Sequence, residues 1–281
     1  MKRRRPATED RRLPATRMTI YTLHRGRLPL AVSLPHVGIE LPDDQRWRYV
    51  GRAFGLEDTD WHLEKLYDFV RELGASLIVP RYSRYLIDLN RPRDDTPMYP
   101  GMNNTELCPT RFFTGDPLYR DASTPDPAEI ARRIRHYWQP YHDALRAELD
   151  RLRGSHGHVI LFDGHSIKSK LPWLFDGRLS DLNLGTVNGV SCAPTLRGAL
   201  ARVLAGQSRF SQVVDGRFKG GYATRHYGDP DHGVHAVQLE MCWSCYMQEA
   251  GPHAVDPERA GLVQPILRQL IETMLAWRPR A

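Results

Sequence analysis

Two histidines stand directly after apolar runs: His36, in Ser33-Leu34-Pro35-His36-Val37-Gly38-Ile39-Glu40, and His165, in Asp163-Gly164-His165-Ser166. Imidazole nitrogens and carboxylate oxygens are the ligands zinc takes, and two imidazoles with one carboxylate leave a fourth position for water. A single loop histidine is usually unremarkable. The pair, with Gly164 allowing close approach to the backbone, is what points to a metal. Glu240, in Gln238-Leu239-Glu240-Met241, closes a third apolar run. A carboxylate there is costly unless paired or used. The functional reading is a general base for a metal-activated water, and the structural alternative is a salt-bridged glutamate. Arg81, Arg84, Arg91 and Arg93 surround the run Tyr85 to Leu89. Guanidinium groups so placed can grip carboxylates in bidentate fashion, or form no more than a solvated charged edge. Asp88 lies inside that run and is expected to pair inward. The glycine-bracketed stretch Lys219 to Pro230, which holds Arg225, could close over an anion, although such glycine pairs are also common turns. Cys242-Trp243-Ser244-Cys245 has redox or half-zinc spacing, but no second such pair exists, and it reads as structural.

The elements that must position these groups alternate between strand-like and helical runs, which predicts an α/β layer fold. Residues 30–35, 76–80, 85–89, 158–163, 213–214 and 236–240 read as strands. Leu63, Leu66, Tyr67, Val70 and Leu73 recur at helical spacing after a cap at Asp58 or Thr59, and Gly74 stops them. The clearest helix starts at Asp126, with Pro127 at its first position and Glu129 completing a capping box. Its stripe runs through Ile130, Ile134, Trp138, Tyr141, Leu145, Leu149 and Leu152. Pro140 is expected to kink it and Gly154 to end it. Helices near 196–204 and 257–277 follow, the last capped by Asp256. The irregular segment 91–125 is long enough to suggest a functional loop. Polar clusters just past strand ends are where ligands bind in open α/β sheets.

The 281 residues are of ordinary globular composition, 41% hydrophobic and 26% charged. The formal charge of +6 is unevenly spread. Residues 1–17 carry seven basic and two acidic side chains, which is +5 and leaves +1 for the rest. The basic balance therefore reads as a solvated, disordered extension rather than a specific nucleic-acid surface. Residues 18–281 are expected to form a single catalytic domain. No run reaches the length of a membrane span, and residues 1–17 lack the apolar core of a secretory signal, so a cytoplasmic location with no membrane partner is expected.

Taken together, SLPHVGIELPDD, DTDWHLEKLYDF, RYSRYLIDLNRPRDDTPMYPG, FDGHSIKS, LNLGTVNG and GGYATRHYGDPDHGVHAVQLEMC resemble the N-formylglutamate deformylase (N-formylglutamate amidohydrolase) family, from about Met18 to the C-terminal helix. The resemblance implies a three-layer, phosphorylase/hydrolase-like α/β fold with a central mixed sheet, related to zinc carboxypeptidases. It implies hydrolysis of N-formyl-L-glutamate to formate and L-glutamate in histidine degradation, with a divalent metal ion, zinc by preference. In zinc carboxypeptidases an HxxE pair and a later His bind the metal and a later Glu acts as base. The counterparts here are His36, Glu40 and His165 as ligands and Glu240 as base. Three residues rather than two separate His36 from Glu40, so Asp60 and Asp88 stand as substitutes for Glu40. For the substrate, Arg84, Arg91 and Arg225 are expected to hold the carboxylates, and Asn90 and Asn188 to hydrogen-bond it. Alternative readings are another N-acyl acidic amino acid as substrate, such as N-formylaspartate or N-succinylglutamate, and a catalytically inactive anion-binding protein.

Overall fold

The computed structural model describes residues 19–279, so the basic segment 1–17 and the reading of it as a disordered extension lie outside the described residues. Seven strands form one mixed sheet: β1 (Tyr21–His24), β2 (Leu30–Ser33), β3 (Ser76–Pro80), β4 (Val159–Ile167), β5 (Leu182–Gly185), β6 (Gln212–Val214) and β7 (Val234–Cys242). Their order is β1-β3-β2-β4-β7-β5-β6. The centre, β3-β2-β4-β7, is parallel, while β1 pairs antiparallel with β3 and β5 antiparallel with β7.

Every residue of β4 and β7 is buried, as near-continuous apolar runs in parallel strands require. Alternation along the strands divides the core in two. Ile160 and Phe162, with Leu30, Val32, Val237 and Leu239, pack toward the helices Pro194–Ala205 and Pro257–Ala276. Val159 and Leu161, with Ala31 and Ala236, pack toward Tyr141, Leu145, Leu149 and Leu152 of the helix Gln139–His156. Helices thus cover both faces of the sheet. Among the described residues, no helix is long and apolar enough to cross a membrane.

Several local expectations need correction. The helix expected over 63–73 is two single turns, Leu63–Leu66 and Phe69–Glu72, entered through His62 in the left-handed region (φ 63°). Residues 85–89 form turns rather than a strand. Their apolar side chains fill the second core cluster, which explains the apolar run without a ladder. The kink at Pro140 takes the form of a π-helical stretch, Ile134–Trp138, just before it. Proline has no N–H for the carbonyl four residues back, so the winding loosens there. That helix runs to His156 and closes on Gly157 at φ 75° rather than at Gly154. Asp126 does cap its first segment, accepting from Glu129 N at 2.8 Å. Glu129 itself binds Arg132 and Arg133 and does not reach back to the cap. β4 and β7 also run further than read, so His165 sits within a strand, and Asp163 and Glu240 lie inside strands rather than at their last residues.

Candidate active site

The period of two along a strand builds the site. Asp163 and His165 follow Val159 and Leu161 on one face of β4, and Gln238 and Glu240 follow Val234 and Ala236 on the same face of β7. In the parallel register Asp163 lies opposite Gln238, and His165 opposite Glu240. The apolar stripe that contacts the helix Gln139–His156 therefore turns polar toward the carboxyl ends of the strands. His36 arrives on the loop after β2. Asp60 arrives on the turn after Asp58, where its backbone N–H donates to His36 O at 3.1 Å.

Three side chains converge. His36 Nδ1 lies 3.1 Å from His165 Nδ1 and 3.6 Å from Asp60 Oδ2, and His165 Nδ1 lies 3.2 Å from Asp60 Oδ2. All three residues are buried. With bonds of about 2.0–2.1 Å, the edge of a tetrahedral zinc site is about 3.3 Å, so the triangle fits three ligands of one cation. The far ring nitrogens face carboxylates. His36 Nε2 is 2.7 Å from Asp88 Oδ1, and His165 Nε2 is 2.9 Å from Asp163 Oδ2. Such partners hold the proton on Nε2 and turn the Nδ1 lone pair toward a metal. Nor are the two acids free to wander. Asp88 also accepts from Arg84 Nη2 at 2.5 Å and from the backbone N–H of Asn90 at 2.8 Å. Asp163 accepts from Ser33 Oγ at 3.1 Å.

The charge states follow from these contacts. Burial works to raise the Asp60 carboxyl, but hydrogen bonds from His165 and His36 outweigh it and hold it at about 2. Burial works to strip His165 of its proton, yet Asp163 and Asp60 win and push it well above the usual imidazole range. Asp88 is held well below the usual range because Arg84 and His36 outweigh its burial. Glu240 goes the other way: burial, only partly offset by His165, raises it to about 8. Among the described residues, its one side-chain neighbour within hydrogen-bond reach is Gln238 Nε2, at 3.5 Å.

His36, Asp60, His165 and Glu240 line one cavity together with Arg84, Asn90, Arg91, Tyr99 and Arg217. Asn90 is pinned there by two hydrogen bonds. The backbone N–H of Ala223 donates to its Oδ1 at 2.8 Å, and its Nδ2 donates to Asp163 Oδ2 at 3.1 Å, which also brings Nδ2 to 2.9 Å from His165 Nε2. Of the residues singled out in the sequence, His36, Asp60, Arg84, Asn90, Arg91, His165 and Glu240 are brought together on the cavity wall, and Asp88 stands behind His36. Three are not. Glu40 is half-exposed at the molecular edge and pairs with Arg81 at 2.8 Å. The extra residue after His36 carries it off the cluster, and Asp60 occupies the carboxylate position. Asn188 is exposed in a turn with φ 55° and is not among the residues that line the cavity. Arg225 is exposed, donating to Gly220 O at 2.9 Å with its guanidinium 5.8 Å from the Tyr99 ring. Arg217, absent from the sequence reading, lines the cavity in its place. A lone arginine in a loop carries no local signal that could have singled it out.

A mixed α/β sheet that gathers two imidazoles and a carboxylate beside a buried glutamate in one cavity has the build of a hydrolytic enzyme. The comparisons narrow that class: the chain belongs to the N-formylglutamate amidohydrolase family, whose model matches residues 28–247. It is similar to the N-formylglutamate deformylases of Pseudomonas putida, at 49% identity, and Pseudomonas aeruginosa, at 46%. Each match covers 92% of this chain, and 96% and 97% of those proteins respectively. Among solved structures it resembles an N-formylglutamate amidohydrolase from Ralstonia eutropha JMP134, with a TM-score of 0.76, 26% identity, and 91% of this chain and 96% of that one covered. A protein of Agrobacterium tumefaciens shares the fold, with a TM-score of 0.70 at 16% identity over 92% of this chain and 95% of that one.

Proposed function

We propose that this protein hydrolyses N-formyl-L-glutamate to formate and L-glutamate, with a divalent cation held by His36, Asp60 and His165. The substrate assignment draws on the relatives at 46–49% identity, both named N-formylglutamate deformylases. The observation that carries the cation is the triangle of two Nδ1 atoms and one carboxylate oxygen, with edges of 3.1, 3.2 and 3.6 Å. A divalent ion there supplies Lewis acidity to a carbonyl oxygen and makes a water more acidic. Zinc suits this mixed nitrogen and oxygen set. The mixed sheet with helices on both faces is compatible with the further proposal of a phosphorylase/hydrolase-like fold related to zinc carboxypeptidases, and we propose residues 18–281 as one catalytic domain.

The chain's own residues supply the rest. Glu240, in register beside His165, takes a proton from the attacking water and returns it to the leaving nitrogen. Its raised carboxyl would ionise more readily beside a divalent charge, which suits a group that loads and unloads a proton near neutrality. Asp88 and Asp163 hold the two imidazoles in their tautomers, and Asn90 presents its amide to the substrate. Arg84 and Arg91, on the same wall, bring positive charge toward the substrate's carboxylates. The test combines formate release from N-formyl-L-glutamate with metal analysis of the purified protein. About one cation per chain is expected, with activity lost on chelation and restored by the ion. Full activity in protein stripped of every divalent ion would refute the metal reading. Absence of formate release from the metal-loaded protein would refute the substrate reading.

A further inference from the structure

Three arginines line the cavity, and their hydrogen bonds set them apart. Arg84 gives Nη2 to Asp88 at 2.5 Å, and its Nη1 lies 3.3 Å from His36 Nδ1. Arg91 gives Nε and Nη2 to the carbonyl and hydroxyl of Thr105, at 2.8 and 2.9 Å, and Nη1 to Asn90 O at 3.1 Å. Arg217 gives only Nη2, to Leu174 O at 3.1 Å. Its Nε and Nη1 are buried and have no hydrogen-bond partner among the described residues. A guanidinium cannot shed its proton, and buried donor atoms left unpaired are costly. The structure thus keeps a cation with two unused donor positions on the wall of a cavity.

Its surroundings hold it ready. The guanidinium carbon lies 4.7 Å from the centre of the Tyr99 ring and 5.3 Å from that of Phe218. The loop that carries it is anchored two residues earlier. Asp215 accepts from the backbone N–H and hydroxyl of Thr186, at 2.6 and 2.7 Å, and pairs with Arg197 at 2.9 Å. A donor fixed in this way loses little freedom when an anion arrives. Its place in the cavity is also distinctive. Arg217, Asn103 and Leu174 line both the cavity and the neighbouring surface groove, whereas His36, Asp60, His165 and Glu240 line the cavity alone. Arg217 therefore stands at the mouth, and the hydrolytic groups stand inside.

We infer that Arg217 receives the side-chain carboxylate of the substrate and so sets the preference for an acidic side chain. The inference rests on the proposed hydrolysis of a formylated amino acid. With the formyl group among the inner residues, the α-carboxylate is only two bonds from the nitrogen, and the side-chain carboxylate is the group that reaches the mouth. Arg84 and Arg91, whose donors are largely engaged within the protein, remain nearer the inner end.

The test is the ratio of kcat/KM for N-formyl-L-glutamate to that for N-formyl-L-glutamine, which differ only in the charge at the far end. In Arg217→Met this ratio is expected to fall ~100-fold, since a site that pairs a substrate group discriminates strongly against the analogue lacking it. Arg217→Lys, which keeps the charge, retains more of the preference. A fall of less than about tenfold in Arg217→Met would overturn the assignment, because a structural or α-carboxylate role lowers both substrates together and leaves their ratio alone. A second readout needs no turnover: calorimetric binding of L-glutamate and L-glutamine to the wild-type and Arg217→Met proteins. The wild type is expected to favour glutamate and the variant to lose that margin, and equal margins in both proteins would count against Arg217. If the wild type releases no formate, the hydrolytic reading fails on its own, and the binding comparison still decides the role of Arg217.

Discussion

Asp88→Asn separates the support of the cluster from the cluster itself. Asp88 is fully buried and uses both oxygens: Oδ1 accepts from His36 Nε2 at 2.7 Å and from the Asn90 backbone at 2.8 Å, and Oδ2 accepts from Arg84 at 2.5 Å. An asparagine has one such oxygen. Whichever way its amide turns, an NH2 group faces either Arg84 or the imidazole N–H. Removing one partner from a buried ion pair costs about 3–5 kcal/mol, and in a chain of this size each kcal/mol is worth about 2–4 °C in Tm. Together these predict a fall of roughly 6–20 °C. The loss of the group that orients His36 should also weaken cation binding by about 10–100-fold. Thermal melts in chelator read the first effect, and zinc titration at a temperature where both proteins are folded reads the second. Adding Arg84→Met should recover part of the stability by removing the stranded charge, but only part, because Arg84 also faces Asp58 and Asp60. A Tm within about 2 °C of the parent in chelator, with unchanged zinc affinity, would refute the view that this acid holds the site.

Asp60→Ala should lose the bound cation while Glu40→Ala keeps about one per chain, since Glu40 meets only Arg81 at the surface; metal analysis of the two proteins decides between the carboxylates. Gly221→Ala should lower kcat/KM by roughly 10–100-fold, because its Cβ would lie 2.3 Å from Asn90 Nδ2 and push aside a side chain that contacts His165; steady-state kinetics with undiminished kcat/KM would show that Asn90 tolerates displacement. The buried His142 is pushed down to about 3, chiefly by desolvation. It stays neutral while an unfolded chain would protonate it, so its contribution is complete above about pH 6.5 and is lost as pH falls toward 3. His142→Gln should therefore flatten the acid side of the stability curve by up to about 1.4 kcal/mol per pH step, measured as denaturant midpoints between pH 4 and 7, and an unchanged slope would contradict the neutral, buried state.

The legible parts of the sequence were those whose pattern has a single physical meaning. The apolar run of β4 could only be a buried strand, and Asp126 and Asp256 could only cap what followed them. His36 and His165 were visible because each interrupts the end of such a run. Asp60 was harder to see, since it lies in a turn between weak helical signals and reaches the cluster through a backbone bond to His36 O. Residues 85–89 misled because apolar side chains that fill a core from turns look like those that do so from a strand. Arg225 and Arg217 stand eight positions apart with nothing local to rank them, and what separates them is the exposure of Arg225 against the place of Arg217 on the cavity wall, beside the anchoring of Asp215 to Thr186.

The alternation that places Asp163 and His165 of β4 on one face, beside Gln238 and Glu240 of β7, makes this centre sensitive to the reading of its gene as much as to its chemistry. Loss or gain of one codon early in either strand would turn that strand's polar pair into the opposite core and swing hydrocarbon into the cavity, an error that no later point substitution could repair. Variation in length among relatives should consequently collect in the connecting loops, with β4 and β7 invariant in length even where their side chains differ.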